Sequence, residues 1–133
     1  LPTRLDAAHR ERMRDPIHLL QASERIDKPW APRVVASLND YRLKLARLEG
    51  EFVWHSHDDT DEAFYVLAGE FEMQLRDGVV PVRAGELVVV PKGLEHRPVA
   101  REPCTVLLVE PAGLLNVGSA HETELAAPVD EWL

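Results

Sequence analysis

The chain has little that could hold it together covalently. One cysteine, Cys104, occurs in 133 residues, so no internal disulfide is possible and a reducing compartment, the cytoplasm, is expected. Basic charge is also scarce: 15 Lys and Arg stand against 23 Asp and Glu, a net charge of −8. That balance argues against a nucleic-acid partner, because a phosphate backbone demands a basic surface. No apolar run approaches the roughly 20 residues of a membrane span, and no signal-peptide pattern is visible at the start. No membrane partner is therefore expected. Internal repeats and low-complexity tracts are missing as well. The length suits one domain, and a chain of this size buries about two-thirds of its unfolded surface, enough for a core without staples.

What the chain does have is a series of short segments with strand character, separated by Gly, Pro and Asp turns. Trp30 to Leu38 reads as a first strand, with Pro29 and Pro32 confining its start to an edge. Asn39-Asp40 signals a turn. Tyr41 to Glu49 alternates in period two. If that phase ran unbroken to His55, the odd-numbered residues would face the cavity, Arg47 and Glu49 among them, although Arg47 fits a solvated surface position better. Phe71, Met73 and Leu75 alternate with Glu70, Glu72 and Gln74, and Asp77-Gly78 signals a tight hairpin onto Val80 and Val82. Leu87 to Val90 and Cys104 to Val109 are continuously apolar, as strands covered on both faces are. About ten β segments are counted in this way, and the chain is all-β.

Two stretches carry the chemistry. Gly50 to Gly69 contains His55, His57 and Glu62 at the spacing H-x-H-x4-E; Gly85 to His96 ends in a fourth ligand type, His96. Residues two apart share a face on a strand but not on a helix, so the H-x-H pair chelates only if Phe52 to His57 is extended. The turn-prone Asp58 to Asp61 lets the chain reverse, so that Glu62 opens the next strand beside the two histidines. Pro91-Lys92-Gly93 turns the chain just before His96, which is expected to arrive from a distant strand pair. Three imidazoles and a carboxylate suit one divalent transition metal, Fe, Mn, Ni, Zn, Cu or Co, and not an all-oxygen calcium cage.

Gly50, His55, His57, Glu62 and Gly69, with Gly85, Pro91, Gly93 and His96, resemble the two signature motifs of the cupin superfamily. One residue is missing between Gly50 and His55, and Ala100 stands where the second motif has an asparagine. The wider resemblance, to small single-domain cupins often labelled mannose-6-phosphate isomerase-like, covers roughly residues 30–118. It implies a double-stranded β-helix, or jelly-roll barrel, and a homodimer to which the N-terminal arm and Trp30 would contribute. The expected division is an arm over 1–29, the barrel over 30–118 and a tail over 119–133 packing on the barrel. Within the arm, Thr3 to Asp15 reads as a short helix, and Ile17, Leu19 and Leu20 offer an apolar face. In the tail, Trp132 and Leu133 are expected to cap the barrel or meet a neighbour.

Val53, Phe64, Val66 and Leu94 are the expected pocket walls. An apolar pocket around open metal positions suits a small-molecule ligand. The leading expectation is a metal-dependent enzyme, of dioxygenase or isomerase type, acting on a small oxygen-bearing organic substrate. The alternative is a non-catalytic metal or small-ligand binding domain. Glu49 and Tyr41 are the inward-facing base candidates that the strand phase offers. Cys104 is expected to pack as a small buried hydrophobe, and His9, His18 and His121 are expected at the surface.

Overall fold

Two long strands form the spine: β2 (Tyr41–Glu51) and β7 (His96–Pro111), antiparallel over most of their lengths. The computed structural model describes residues 7, 13, 15–120 and 123–133. Around the spine lie a short helix α1 (Leu19–Ser23) and strands β1 (Arg33–Leu38), β3 (Glu62–Ala68), β4 (Glu70–Leu75), β5 (Gly78–Arg83) and β6 (Leu87–Val90). The main sheet runs β1-β2-β7-β3-β6, and β4 joins the first part of β7 while pairing β5 on its other side. The chain is a jelly roll of antiparallel strands, as expected, with seven strands among the described residues instead of about ten. The difference lies largely in β7, which is continuous where the sequence suggested separate segments. Its Pro98 and Val99 pair with β4, and its Leu107 to Val109 pair with β3. Exposed Arg101 to Pro103 mark where it loses register with β2 and passes from one part of the sheet to the other.

The phase of β2 is opposite to the expected one. Lys44, Ala46 and Leu48 are buried toward the barrel interior, where Ala46 and Leu48 join the main core with Phe64, Val66, Phe71, Val106 and Leu108. Leu45 points the other way, into a second cluster with Ala22 and Ile26, against which Leu19 of α1 packs. Tyr41 and Glu49 are exposed and do not reach the cavity. The parity changes between Phe52 and His55, where the chain leaves the regular ladder, so extrapolating from Tyr41 to His55 fails. Arg47 is half-buried, and its guanidinium donates to the Ile26 carbonyl at 2.9 Å.

Leu87 to Val90 was expected to be covered on both faces. Instead β6 is an edge strand with Leu87 and Val89 63% and 52% exposed, because nothing among the described residues packs on its outer side. Trp30 is no surface anchor: it is 7% exposed and belongs to the core. Ile17 and Leu20 are exposed, and so is His18, which caps α1 by accepting from the Gln21 amide. Most of the helix expected over Thr3 to Asp15, together with His9 and His121, lies outside the described residues. The C-terminal residues return to the barrel, where Trp132 bridges Val34 on β1. No described helix is long and apolar enough to cross a membrane.

Cys104 has no exposed surface, and burial first, then the charge of Glu70, pushes its thiol up to about 11. At pH 8 the thiolate is therefore about one part in a thousand, and the thiolate is the nucleophile. We expect the native protein to react with a disulfide reagent at pH 8 no faster than it unfolds, and in denaturant at the rate of a free thiol. Rapid stoichiometric labelling of the folded protein would contradict this burial.

Candidate metal centre

The site is built where two backbone segments meet face to face. His55 and His96 are directly opposed: the His55 amide donates to the His96 carbonyl at 3.0 Å, and the His96 amide donates back at 2.9 Å. The Phe52 amide donates to the Pro98 carbonyl on one side, and the Gly93 amide to the His57 carbonyl on the other. This short ladder keeps Phe52 to His57 extended, so that His55 and His57 lie on one face. His55, His57 and His96 are all buried, and one ring nitrogen from each lies within 4.8 Å of the others. The ring centroids of His55 and His96 are 4.2 Å apart.

Two of the rings are oriented by backbone carbonyls. His55 Nδ1 lies 2.9 Å from the Val53 carbonyl and His96 Nδ1 lies 2.8 Å from the Leu94 carbonyl. Each Nδ1 therefore carries the proton, and each Nε2 offers a lone pair, the arrangement that metal-binding histidines use. His96 Nε2 and both ring nitrogens of His57 are buried without a protein partner. Buried polar atoms without partners are costly, and a lone pair on each of two adjacent rings calls for a shared occupant. All three rings are kept neutral. Burial first, then the neighbouring His96, lowers His55 to about 3. Burial likewise lowers His57 and His96, against the pull of nearby acidic groups on His57 and of the Leu94 carbonyl on His96. Neutral imidazoles are the form that coordinates, so the donor set fits a transition-metal ion.

Glu62 stands differently. It is 4% exposed, and its Oε1 lies 3.4 Å from His57 Nε2, yet the tight ring-nitrogen group comprises the three histidines alone. Its carboxyl is within hydrogen-bonding reach of the Glu110 carboxyl. Glu110 is 2% exposed, and its Oε2 accepts from Lys44 Nζ at 3.1 Å. Lys44 also meets Asp130 Oδ1 at 2.9 Å. Burial, then the charge of Glu62, raises Glu110 well above the usual carboxylate value, and burial raises Glu62 as well. Burial works to lower Lys44, but the charge of Glu110 and the hydrogen bonds that the amine donates to Asp130 and Glu110 outweigh it and raise its pKa, keeping it charged.

The cavity beside the histidines has a volume of about 30 Å³, room for about two waters. Trp30, Phe52, Phe64 and Leu108 wall it, with His55, Glu62 and Glu110 on its polar side. Trp30 stacks on Phe52 with centroids 4.6 Å apart. It holds a left-handed backbone (φ 64°) because three bonds over-determine it: its amide to the Arg47 carbonyl, its indole to the Glu49 carbonyl, and its carbonyl from the Asn116 amide. Such strain concentrates at functional sites.

Of the expected walls, Phe64 lines the cavity. Val66 is wholly buried in the core, Val53 packs against that core, and Leu94 is 38% exposed. Val53 and Leu94 contribute through their carbonyls instead. Sequence reasoning missed Lys44, Glu110 and Trp30. For Glu110 the signal was present: Cys104, Val106, Leu108 and Glu110 form one period-two row, and every member is buried.

Comparison with known proteins bears on this arrangement. The family model described as Cupin domain matches residues 43–110. The Bacillus subtilis protein YdbB, itself uncharacterized, is 35% identical over 81 residues, 60% of this chain and 72% of its own length. A crystal structure of a cupin-2 domain containing protein from Shewanella frigidimarina superposes with a TM-score of 0.70 at 45% identity, covering 71% of this chain and 93% of that one. The hydroquinone 1,2-dioxygenase PnpCD, solved with Cd2+ and 4-hydroxybenzonitrile, shares the fold at 21% identity, with a TM-score of 0.61 over 72% of each chain.

Proposed function

This chain belongs to the cupin family, and from that premise we propose that it is a metal-dependent enzyme, of dioxygenase or isomerase type, whose ion is held by His55, His57, His96 and Glu62. One observation carries the reading: three buried neutral imidazoles converge within 4.8 Å, and two of them, His57 and His96, keep ring nitrogens without a protein partner. A bound divalent ion would supply Lewis acidity toward a substrate oxygen, and a redox centre if it is iron. The chain's own residues do the rest. The Val53 and Leu94 carbonyls hold the His55 and His96 rings in the coordinating tautomer. Trp30, Phe52, Phe64 and Leu108 exclude water and favour a small, largely apolar substrate with an oxygen function. The fold shared with a hydroquinone dioxygenase solved with Cd2+ lends support to oxygen chemistry.

The test has two stages. Protein purified without added metal and then titrated with Fe(II), Co(II) or Zn(II) is expected to bind one ion per chain, and a ligand at 100 times its Kd should stabilise the fold by about 2.7 kcal/mol. The Fe(II) form is then expected to consume dioxygen with a diol, hydroquinone or diketone in the panel. No uptake with any of them would remove the dioxygenase reading. A second reading is favoured by the cavity itself: about 30 Å³ suits a binding domain without turnover. Metal uptake without any activity would select it.

A further inference from the structure

A glutamate and a lysine buried behind the histidines, Glu110 and Lys44, stand outside the proposed ligand set. Lys44 is 3% exposed and Glu110 2%. An ion pair buried to this depth is a poor way to gain stability, since desolvation offsets most of the attraction. The pair spans two neighbouring strands, because β2 and β7 are in register from Tyr41 to Leu48 and place Lys44 and Glu110 on the same inner face. Glu110 Oε2 accepts from Lys44 Nζ at 3.1 Å, and Glu110 and Glu62, each one position beyond the paired Ala63 and Val109 of β3 and β7, line the same cavity. Lys44 is anchored in turn by Asp130, whose second oxygen accepts from the Gly113 amide at 2.8 Å. The chain of contacts therefore runs from the C-terminal segment through Asp130, Lys44 and Glu110 to Glu62, and ends 3.4 Å from His57. Glu62 thus stands between Glu110 on one side and His57 on the other.

We propose that Glu110, braced by Lys44 and Asp130, is a positioning residue that fixes the Glu62 carboxyl beside the three histidines and so completes the metal site. The proposal rests on the metal-binding reading above. Outer-shell partners of this kind typically govern metal affinity by about 10–100-fold.

The probe is Co(II), read by its affinity and by its visible absorption, which reports ligand geometry and not stability. Glu110→Leu is expected to weaken Co(II) binding by about 10–100-fold and to alter the absorption bands. Glu110→Gln keeps the shape and both hydrogen bonds, and is expected to stay within about threefold of wild type. Glu110→Asp retracts the carboxyl while keeping the charge beside Lys44; it serves where the leucine variant does not fold, and is expected to weaken binding at least about fivefold. In a Glu62→Gln background the Glu110→Leu penalty should largely vanish, since the effect passes through Glu62. An equal penalty in that background, or unchanged affinity and spectrum in Glu110→Leu or Glu110→Asp, overturns the proposal. So does a glutamine variant as weak as the leucine one. If wild type binds no Co(II), the metal-binding reading falls and takes this proposal with it. If wild type binds and His55→Ala does not, only the proposal is at stake.

Discussion

Replacing His96 by alanine is expected to weaken transition-metal binding by more than about 100-fold, beyond the range typical of outer-shell substitutions. His96 lies at the centre of the site. It has no exposed surface, its ring centroid is 4.2 Å from that of His55, and its backbone forms the bridge that opposes the two segments. Alanine keeps the backbone bridge, so the fold should survive while Nε2 is lost. The opposed segments would still carry His55 and His57, with Glu62 beside them, three donors in place of four, and the lost imidazole is the one that joins the two segments. Elemental analysis of the purified variant beside wild type checks this, and equal metal content in the two would place the ion elsewhere.

Gly118→Ala is expected to carry the largest effect on stability. Gly118 adopts φ +47°, and an added Cβ would stand 2.3 Å from the Ser56 carbonyl oxygen and 2.9 Å from His57 Nδ1. The left-handed backbone alone costs a non-glycine residue about 1–2 kcal/mol. The overlap with a backbone oxygen adds to it, because that oxygen belongs to a segment pinned by Ser119: the Ser119 amide donates to the Ser56 carbonyl at 2.9 Å, and the Ser56 amide donates to Ser119 Oγ at 2.9 Å. A total near 3 kcal/mol is expected, a fall in Tm of about 10 °C for a domain of this size. The same methyl presses on the unpartnered side of His57, so metal affinity should fall with stability. A Tm within about 2 °C of wild type would mean that the 113–120 return segment yields easily, and that His57 is not braced by it.

How much of this was readable beforehand differs from residue to residue. Three of the four ligand candidates, His55, His57 and His96, come together as the spacing implied, because period two and a glycine-proline turn are local properties of the chain. Glu62 arrives beside His57 but outside the histidine group; its carboxyl is placed by Glu110, a residue 48 positions away by the numbering. The inner face of β2 was misassigned because the parity shift between Phe52 and His55 depends on where the chain leaves its ladder, which side-chain pattern alone does not reveal. Leu87 and Val89 read as buried because they are apolar, although burial depends on whether another layer covers them.

The jelly-roll architecture was what the motif resemblance implied; the order of amino acids by itself determined that this chain is all-β, with two histidine-bearing segments and no internal disulfide. Those features follow from short-range geometry: strand alternation, turn residues and the count of cysteines. Only the tertiary structure decided which charges go inside. Lys44 and Glu110 look like surface residues one at a time, and become an interior pair only when β2 and β7 align in register. The reason is that a buried charge is tolerated solely beside its partner, and partnership across the barrel is a property of strand pairing rather than of either residue.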